Sequence, residues 1–327
     1  MSTVTLIEAI QQALDEEMTR DERVILFGHD IGPRGGIFRA EKGLYEKYGP
    51  SRVIDSPLST AAMVGVCIGS ALYGMLPVCE IQFAGFIHPA FNQIVNEAAR
   101  IHYRSCGEWQ VPLVIRAPYG GGTGGGLYHS QSVEAFFAHV PGLKVVIPSN
   151  PYDAKGLLTS AICDPNPVLF LEPVKGYRVI EGEIPEGQYT VPIGKAKVTR
   201  QGTALSVYAY GMMHQYALRA AEQVAVEGID VEVVDLRTLN PLDRETVLAS
   251  VFKTNKALIV YEDNLTGGYG AEIAALIAEE AFDDLDAPVK RLAGPDVPAT
   301  PFSHPMQEWF MINPAKIAAA IRDLYSY

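Results

Sequence analysis

Short β-rich apolar runs alternate along the first half of the chain with stretches whose apolar positions recur every three or four residues. The runs at 24–27, 52–54, 78–81, 111–115, 144–147 and 168–171 predict strands, and the stretches 61–73, 89–103, 133–139 and 153–162 predict helices. Alternation of this kind predicts a largely parallel sheet covered by helices. At the N-terminus, Thr5-Leu-Ile-Glu8 reads as a capping box opening an amphipathic helix to about Met18.

From 181 to 188 the sequence turns polar, with Gly182, Pro185 and Gly187, and a linker is expected there. The expected division is a first domain over 1–182, a linker over 183–192 and a second domain over 193–327. The second part repeats the style of the first. Strands are predicted at 205–210, 231–234 and 257–261, with helices at 214–226, 243–251, 271–282 and 314–324. The glycine turn Gly267-Gly268-Tyr-Gly270 precedes the third of those helices. The expected fold class is therefore α/β, with two domains that each hold a largely parallel sheet flanked by helices. Neither an internal repeat nor a low-complexity tract interrupts it.

The length, 327 residues, is ample for two cores, and 48% hydrophobic residues supply the material to bury. A net charge of −12 argues against nucleic acid or an anionic membrane surface as a partner. Cys67, Cys79, Cys106 and Cys163 show no metal-ligand spacing and read as reduced thiols of a cytoplasmic protein. The N-terminus lacks the basic start and apolar core of a signal peptide. Residues 56–79 carry no charge, but Pro57, Pro77 and the Gly65 and Gly69 spacing favour a buried, closely packed helix over a membrane span.

The chemistry-bearing stretches are Glu80-Ile-Gln-Phe-Ala-Gly-Phe86 and Gly120-Gly-Gly-Thr-Gly-Gly-Gly-Leu-Tyr-His-Ser-Gln-Ser132. In the second, an apolar run and Arg116 lead into a loop with six glycines in seven residues, followed by His129. Backbone able to take positive φ lets a flat or charged ligand approach closely. Read without further context, the loop is either such a site or a flexible surface turn. A formal G-x-G-x-x-G over Gly120, Gly122 and Gly125 is discounted, since the helix and the acid of a dinucleotide site do not follow at the required distances.

Together with Asp55-Ser-Pro-Leu-Ser59, Phe91-Asn-Gln-Ile-Val-Asn-Glu-Ala-Ala99, Pro141-Gly-Leu-Lys-Val-Val146, Tyr152-Asp-Ala-Lys-Gly-Leu-Leu158, Pro192-Ile-Gly-Lys195 and Val234-Asp-Leu-Arg-Thr-Leu239, these stretches resemble one family over nearly the whole chain. That family is the beta subunit of the thiamin-diphosphate-dependent 2-oxoacid dehydrogenases, the first component of the pyruvate, branched-chain and acetoin dehydrogenase complexes. The resemblance implies a transketolase-like pyrimidine-binding domain followed by a transketolase C-terminal domain. It implies decarboxylation of a 2-oxoacid on thiamin diphosphate and transfer of the acyl group to a lipoyl domain. An alpha subunit is implied as partner, holding the diphosphate and its magnesium through a Gly-Asp-Gly motif that this chain lacks. An assembly of two alpha and two beta chains, a beta–beta dimer and docking to a dihydrolipoyl acyltransferase core are further implications.

By resemblance, Phe86 stacks on the pyrimidine, Gln82 lies beside it, and His129 is the active-site histidine. Histidine titrates near neutrality, which suits proton transfer and recognition of a carboxylate. The plain alternatives are a core aromatic and a structural histidine. At four positions the chain departs from the family. Thr60 stands where the family has the glutamate that bonds the pyrimidine ring nitrogen, and His29, Gly85 and Asn92 replace acids. A hydroxyl cannot hold a proton at neutral pH, and losing one acid–base group costs about 10²–10⁴-fold. Drift at surface positions, a catalytically altered or inactive paralogue serving as a structural subunit, a thiamin-dependent carboligase and an engineered chain all remain open here. Finally, the loop Asp164-Pro-Asn-Pro167 resembles a potassium site of the family. Its ligands would be carbonyls of Leu113, Ala161, Ile162 and Asp164 together with Asn166, or else the loop is a proline-rich turn.

Overall fold

The computed structural model describes residues 1–327. Its larger sheet has seven strands, in spatial order Thr238–Asn240, Lys144–Val146, Val168–Pro173, Val114–Tyr119, Leu76–Glu80, Val24–Gly28 and Val53–Asp55. All neighbours run parallel except Thr238–Asn240, which lies antiparallel to Lys144–Val146. The second sheet has five strands: Lys290–Gly294, Ala257–Asn264, Leu205–Ala209, Val231–Asp235 and the antiparallel Lys197–Arg200. Strands buried on both faces read as continuous apolar runs, and Val114–Tyr119, Val168–Pro173, Leu205–Ala209 and Val231–Asp235 are buried throughout. The fold is the α/β arrangement expected, with helices covering largely parallel sheets.

The first helix, Leu6–Arg20, begins as its sequence dictates. Glu8 N–H donates to the Thr5 hydroxyl at 3.4 Å, and Thr5 N–H donates to the Glu8 carboxylate at 2.8 Å. Its apolar stripe packs on Pro151–Ile162, where Pro151 stands in the first turn and Asn150 caps the Asp153 N–H. The uncharged stretch forms the helix Thr60–Leu72, packed on Leu76–Glu80. No helix is long and apolar enough to cross a membrane.

Three expectations change. The helix expected over 89–103 is instead a 3₁₀ segment, Ala84–Ala90, a π segment, Gln93–Ala98, and a short helix, Ile101–Arg104. Pro89 lies inside the 3₁₀ segment, and the wider π turn over Gln93–Ala98 interrupts the regular α-helical pitch after it. The polar stretch after 180 is not all linker, because Glu181–Ile184 pairs antiparallel with Ser2–Thr5. The strand expected at 111–115 lies further on, at Val114–Tyr119, because Arg116 is buried inside it rather than ending it. If the chain is divided at 183–192 as proposed, the later part lends Thr238–Asn240 to the sheet of the earlier one.

Candidate active site

Four adjacent parallel strands of the larger sheet end on one side, and the segment leaving each carries a candidate residue. Val53–Asp55 leads to Thr60, Val24–Gly28 to His29, Leu76–Glu80 to Gln82 and Phe86, and Val114–Tyr119 to the glycine loop and His129. The carboxyl ends of such strands are where open α/β sheets bind ligands.

There the rings gather. His129 meets Phe83 edge-on with centroids 4.3 Å apart and Phe86 at 5.5 Å, while Phe83 lies 5.5 Å from both Phe86 and Phe38. Phe86 is half-buried and His129 is exposed, so the cluster opens outward. The Nδ1 of His129 faces the Gly125 carbonyl at 3.3 Å. Gln82 is buried, and its amide nitrogen makes only a long 3.4 Å bond to the His29 carbonyl. His29 in turn places Nδ1 3.0 Å from the Ser56 carbonyl, on the segment that runs to Thr60, and Nε2 3.8 Å from Asp30. Thr60 is buried at the head of its helix. The structure thus brings His129 and Phe86 together and links Gln82 to His29.

The neutral position 85 has a steric reason. A β-carbon on Gly85 would stand 2.8 Å from the Tyr128 carbonyl oxygen and 3.1 Å from the Gln131 amide carbon, so the His129 segment packs directly on bare backbone. Asn92, by contrast, is exposed and accepts a 2.8 Å bond from Asn96.

Two features escaped the sequence. Behind the site, buried Arg116 donates to Glu172 at 2.7 and 3.2 Å, pairs with Glu41 and lies 3.8 Å from Glu80. Burial, with Glu41 alongside, raises the Glu80 carboxyl well above the usual range. Charged residues set inside apolar strands were the available signal. The other is Glu262, at the end of the second sheet's Ala257–Asn264 strand, whose Oε1 accepts the Gly121 N–H at 2.5 Å. Nothing local to position 262 announces that contact.

In the expected potassium loop, Leu113 and Ala161 carbonyls accept the N–H groups of Val168 and Asp164 at 2.9 and 3.2 Å. The Ala161 carbonyl also accepts the Cys163 N–H, while the Leu113 carbonyl keeps a second lone pair. The Asp164 carboxylate pairs with Lys144 and accepts the Asn166 N–H at 2.9 Å.

A half-buried aromatic ring, an under-bonded buried amide and an exposed imidazole around bare glycine backbone fit a flat heteroaromatic group such as a pyrimidine. No group of three His, Cys, Asp or Glu side chains is placed to hold a metal ion.

The chain matches the family model described as transketolase, pyrimidine binding domain, over residues 2–179, and that of transketolase, C-terminal domain, over 194–317. It is similar to 2-oxoisovalerate dehydrogenase subunit beta of Bacillus subtilis, with 54% identity over 327 residues and all of both chains covered. Pyruvate dehydrogenase E1 component subunit beta of Acholeplasma laidlawii is 46% identical over 99% of this chain and 98% of its own. The mitochondrial 2-oxoisovalerate dehydrogenase subunit beta 2 of Arabidopsis thaliana is 47% identical over 99% of this chain and 90% of its own. Among solved structures, one described as split gene transketolase, inactive beta4 tetramer, superposes with a TM-score of 0.80 at 23% identity, covering 99% and 98% of the two chains.

Proposed function

Because the chain belongs to the family of 2-oxoacid dehydrogenase first-component beta subunits, built on transketolase pyrimidine-binding and C-terminal domains, we propose that it forms the pyrimidine side of a thiamin diphosphate site. The observation that supports this is the meeting of the Phe86 and His129 rings at 5.5 Å past the carboxyl ends of adjacent parallel strands, with Gln82 on the same segment as Phe86. Phe86 would stack on the pyrimidine and Gln82 would bond its edge. Thr60 and His29 would stand on the side of the ring where the family carries acids. When bound, thiamin diphosphate supplies a carbanion nucleophile and an electron sink for decarboxylation. His129 would hand protons to and from the reacting group and meet the substrate carboxylate. The oxidoreductase activity then requires an alpha subunit for the diphosphate and its magnesium, in an assembly of two alpha and two beta chains around a beta–beta dimer. The acyl group would pass to a lipoyl domain of the acyltransferase core.

Relatives at 44–54% identity are named as dehydrogenase beta subunits, which favours this enzymatic reading over an inactive structural subunit or a carboligase. The 54% relative is a 2-oxoisovalerate dehydrogenase subunit, and a branched 2-oxoacid is the substrate we propose. Unpaired Cys67, Cys79, Cys106 and Cys163 suit a reducing compartment, and we place the protein in the cytoplasm. Potassium on the Leu113, Ala161 and Ile162 carbonyls with Asp164 and Asn166 would brace that loop, and melting in potassium against choline salts tests it. A higher melting temperature in potassium is expected, and equal values would remove the site.

The functional test is co-expression with an alpha subunit and assay of 2-oxoacid decarboxylation. Thiamin-dependent turnover of branched 2-oxoacids ahead of pyruvate is expected. An assembled, cofactor-loaded complex without turnover of any 2-oxoacid would overturn the reading.

A further inference from the structure

We propose that Glu262 is a positioning residue, which fixes the glycine loop from the second half of the chain and through it the ring of His129. The inference rests on the assignment of that loop to the active site made above.

A loop of this composition needs an external hold. Six of its seven residues from 120 to 126 are glycine, and Gly120, Gly122, Gly124 and Gly126 have φ of 88°, 85°, 77° and 57°. Glycine backbone loses more conformational freedom on ordering than any other, so a single loop shape must be held by contacts made elsewhere. Side chains packed on the loop come largely from the second half of the chain, and each uses the absence of a β-carbon. A β-carbon on Gly121 would lie 2.9 Å from Met311 Sδ and 3.4 Å from Thr300, and one on Gly126 would lie 2.7 Å from the Phe302 ring. The first half contributes Lys175, 2.7 Å from the same point on Gly122.

Beside the Gln131 carbonyl, which accepts the Gly120 N–H at 3.1 Å, Glu262 is the side chain that accepts a hydrogen bond from the loop's backbone. Its Oε1 accepts the Gly121 N–H at 2.5 Å, and its carboxylate oxygens lie 2.9 and 3.0 Å from where a Gly120 β-carbon would stand. A carboxylate acceptor gives a shorter and stronger bond than a neutral one. At the far end of the loop, the Gly125 carbonyl faces His129 Nδ1 at 3.3 Å, and a β-carbon on Gly125 would lie 2.8 Å from the His129 β-carbon. The short backbone from 121 to 125 thus joins the Glu262 contact to the contact with the imidazole, which itself meets Phe83 at 4.3 Å.

Burial raises the Glu262 carboxyl to about 7, opposed by the Gly121 N–H and by Lys175. Asp263 on the same strand, and Glu134 and Tyr119 on the facing elements, add no compensating positive charge. The Gly121 N–H and Lys175 are therefore what offset the cost of holding this carboxyl beside the loop.

The test compares the full chain with Glu262→Met, which fills a similar volume without a good acceptor, and Glu262→Gln, whose amide oxygen can still accept the Gly121 N–H. Hydrogen exchange of peptides covering 120–130 reads the loop without cofactor or partner. Exchange about 10-fold faster in Glu262→Met and near wild type in Glu262→Gln is expected. In the complex with an alpha subunit, kcat should fall about 10–100-fold for Glu262→Met with KM little changed, and Glu262→Gln should recover most of it. Unchanged exchange in a folded Glu262→Met chain would overturn the proposal. A loosened loop with unchanged kcat would also overturn the positioning role, and would put the fault in the assignment of the loop to the active site.

Discussion

Arg237 donates two hydrogen bonds, at 2.6 and 3.0 Å, to the carboxylate of Asp153, tying the second half of the chain to a helix of the first. Both residues are buried, and Arg237 sits in the left-handed region at φ 59°, directly before the strand Thr238–Asn240 that joins the larger sheet. The Arg237 carbonyl also accepts the Ile147 N–H at 2.8 Å, so backbone and side chain anchor the same crossing.

Removing one partner of such a pair strands a buried charge. Asp153→Ala should destabilise the fold by about 3–5 kcal/mol, and adding Arg237→Leu to it should recover part of the loss. Urea denaturation of the single and double variants measures both. A loss under about 1 kcal/mol for Asp153→Ala would mean the crossing is held by other contacts.

Gly85 is predicted to tolerate no side chain without moving the histidine segment. Gly85→Ala places its β-carbon 2.8 Å from the Tyr128 carbonyl, an overlap that costs about 1–3 kcal/mol. Denaturation midpoints check the cost, and faster hydrogen exchange over 126–131 checks the displacement. Wild-type behaviour in both would show that the segment yields freely.

Thr60→Glu should raise the rate of cofactor-dependent decarboxylation in the complex with an alpha subunit by about 10-fold or more. The site is buried, so desolvation would favour the protonated carboxyl that can donate to a ring nitrogen. Single-turnover kinetics on an assembled, cofactor-loaded complex decides the matter. A fall in rate would mean that the chemistry here is adapted to a neutral group.

Stability should decline as pH rises toward 8. Burial, with Asp263 nearby, pushes the fully buried Glu134 carboxyl up to about 8 from an ordinary 4.5, against the Tyr210 hydroxyl that donates to it at 2.9 Å. Between those values the folded chain keeps a proton that the unfolded chain releases, so each rise in pH favours unfolding. The contribution is complete below about 4.5 and lost through about 8. Glu134→Gln, neutral throughout, should flatten the fall in melting temperature between pH 6 and 8 by a few degrees. Parallel curves for the two proteins would refute the assignment.

Local interactions left their marks in the sequence, and those marks were legible. The Thr5 and Glu8 capping box, the Pro151 helix start and the apolar strands of both sheets arise from residues a few positions apart, or from burial on both faces. Phe86 and His129 were legible through family blocks rather than through periodicity, and their meeting at 5.5 Å required the sheet. Other features belong to the tertiary structure alone. The pairing of Ser2–Thr5 with Glu181–Ile184 and the Thr238–Asn240 crossing depend on what each segment meets. The same holds for Glu262 and Gly121, 141 positions apart, for Arg237 and Asp153, 84 apart, and for Arg116 and Glu41, 75 apart. A hydrogen bond across such a separation imposes no period and no neighbouring residue type. It exists because parallel strands carry distant loops to one edge, where a buried charge finds its partner only after the sheet has formed.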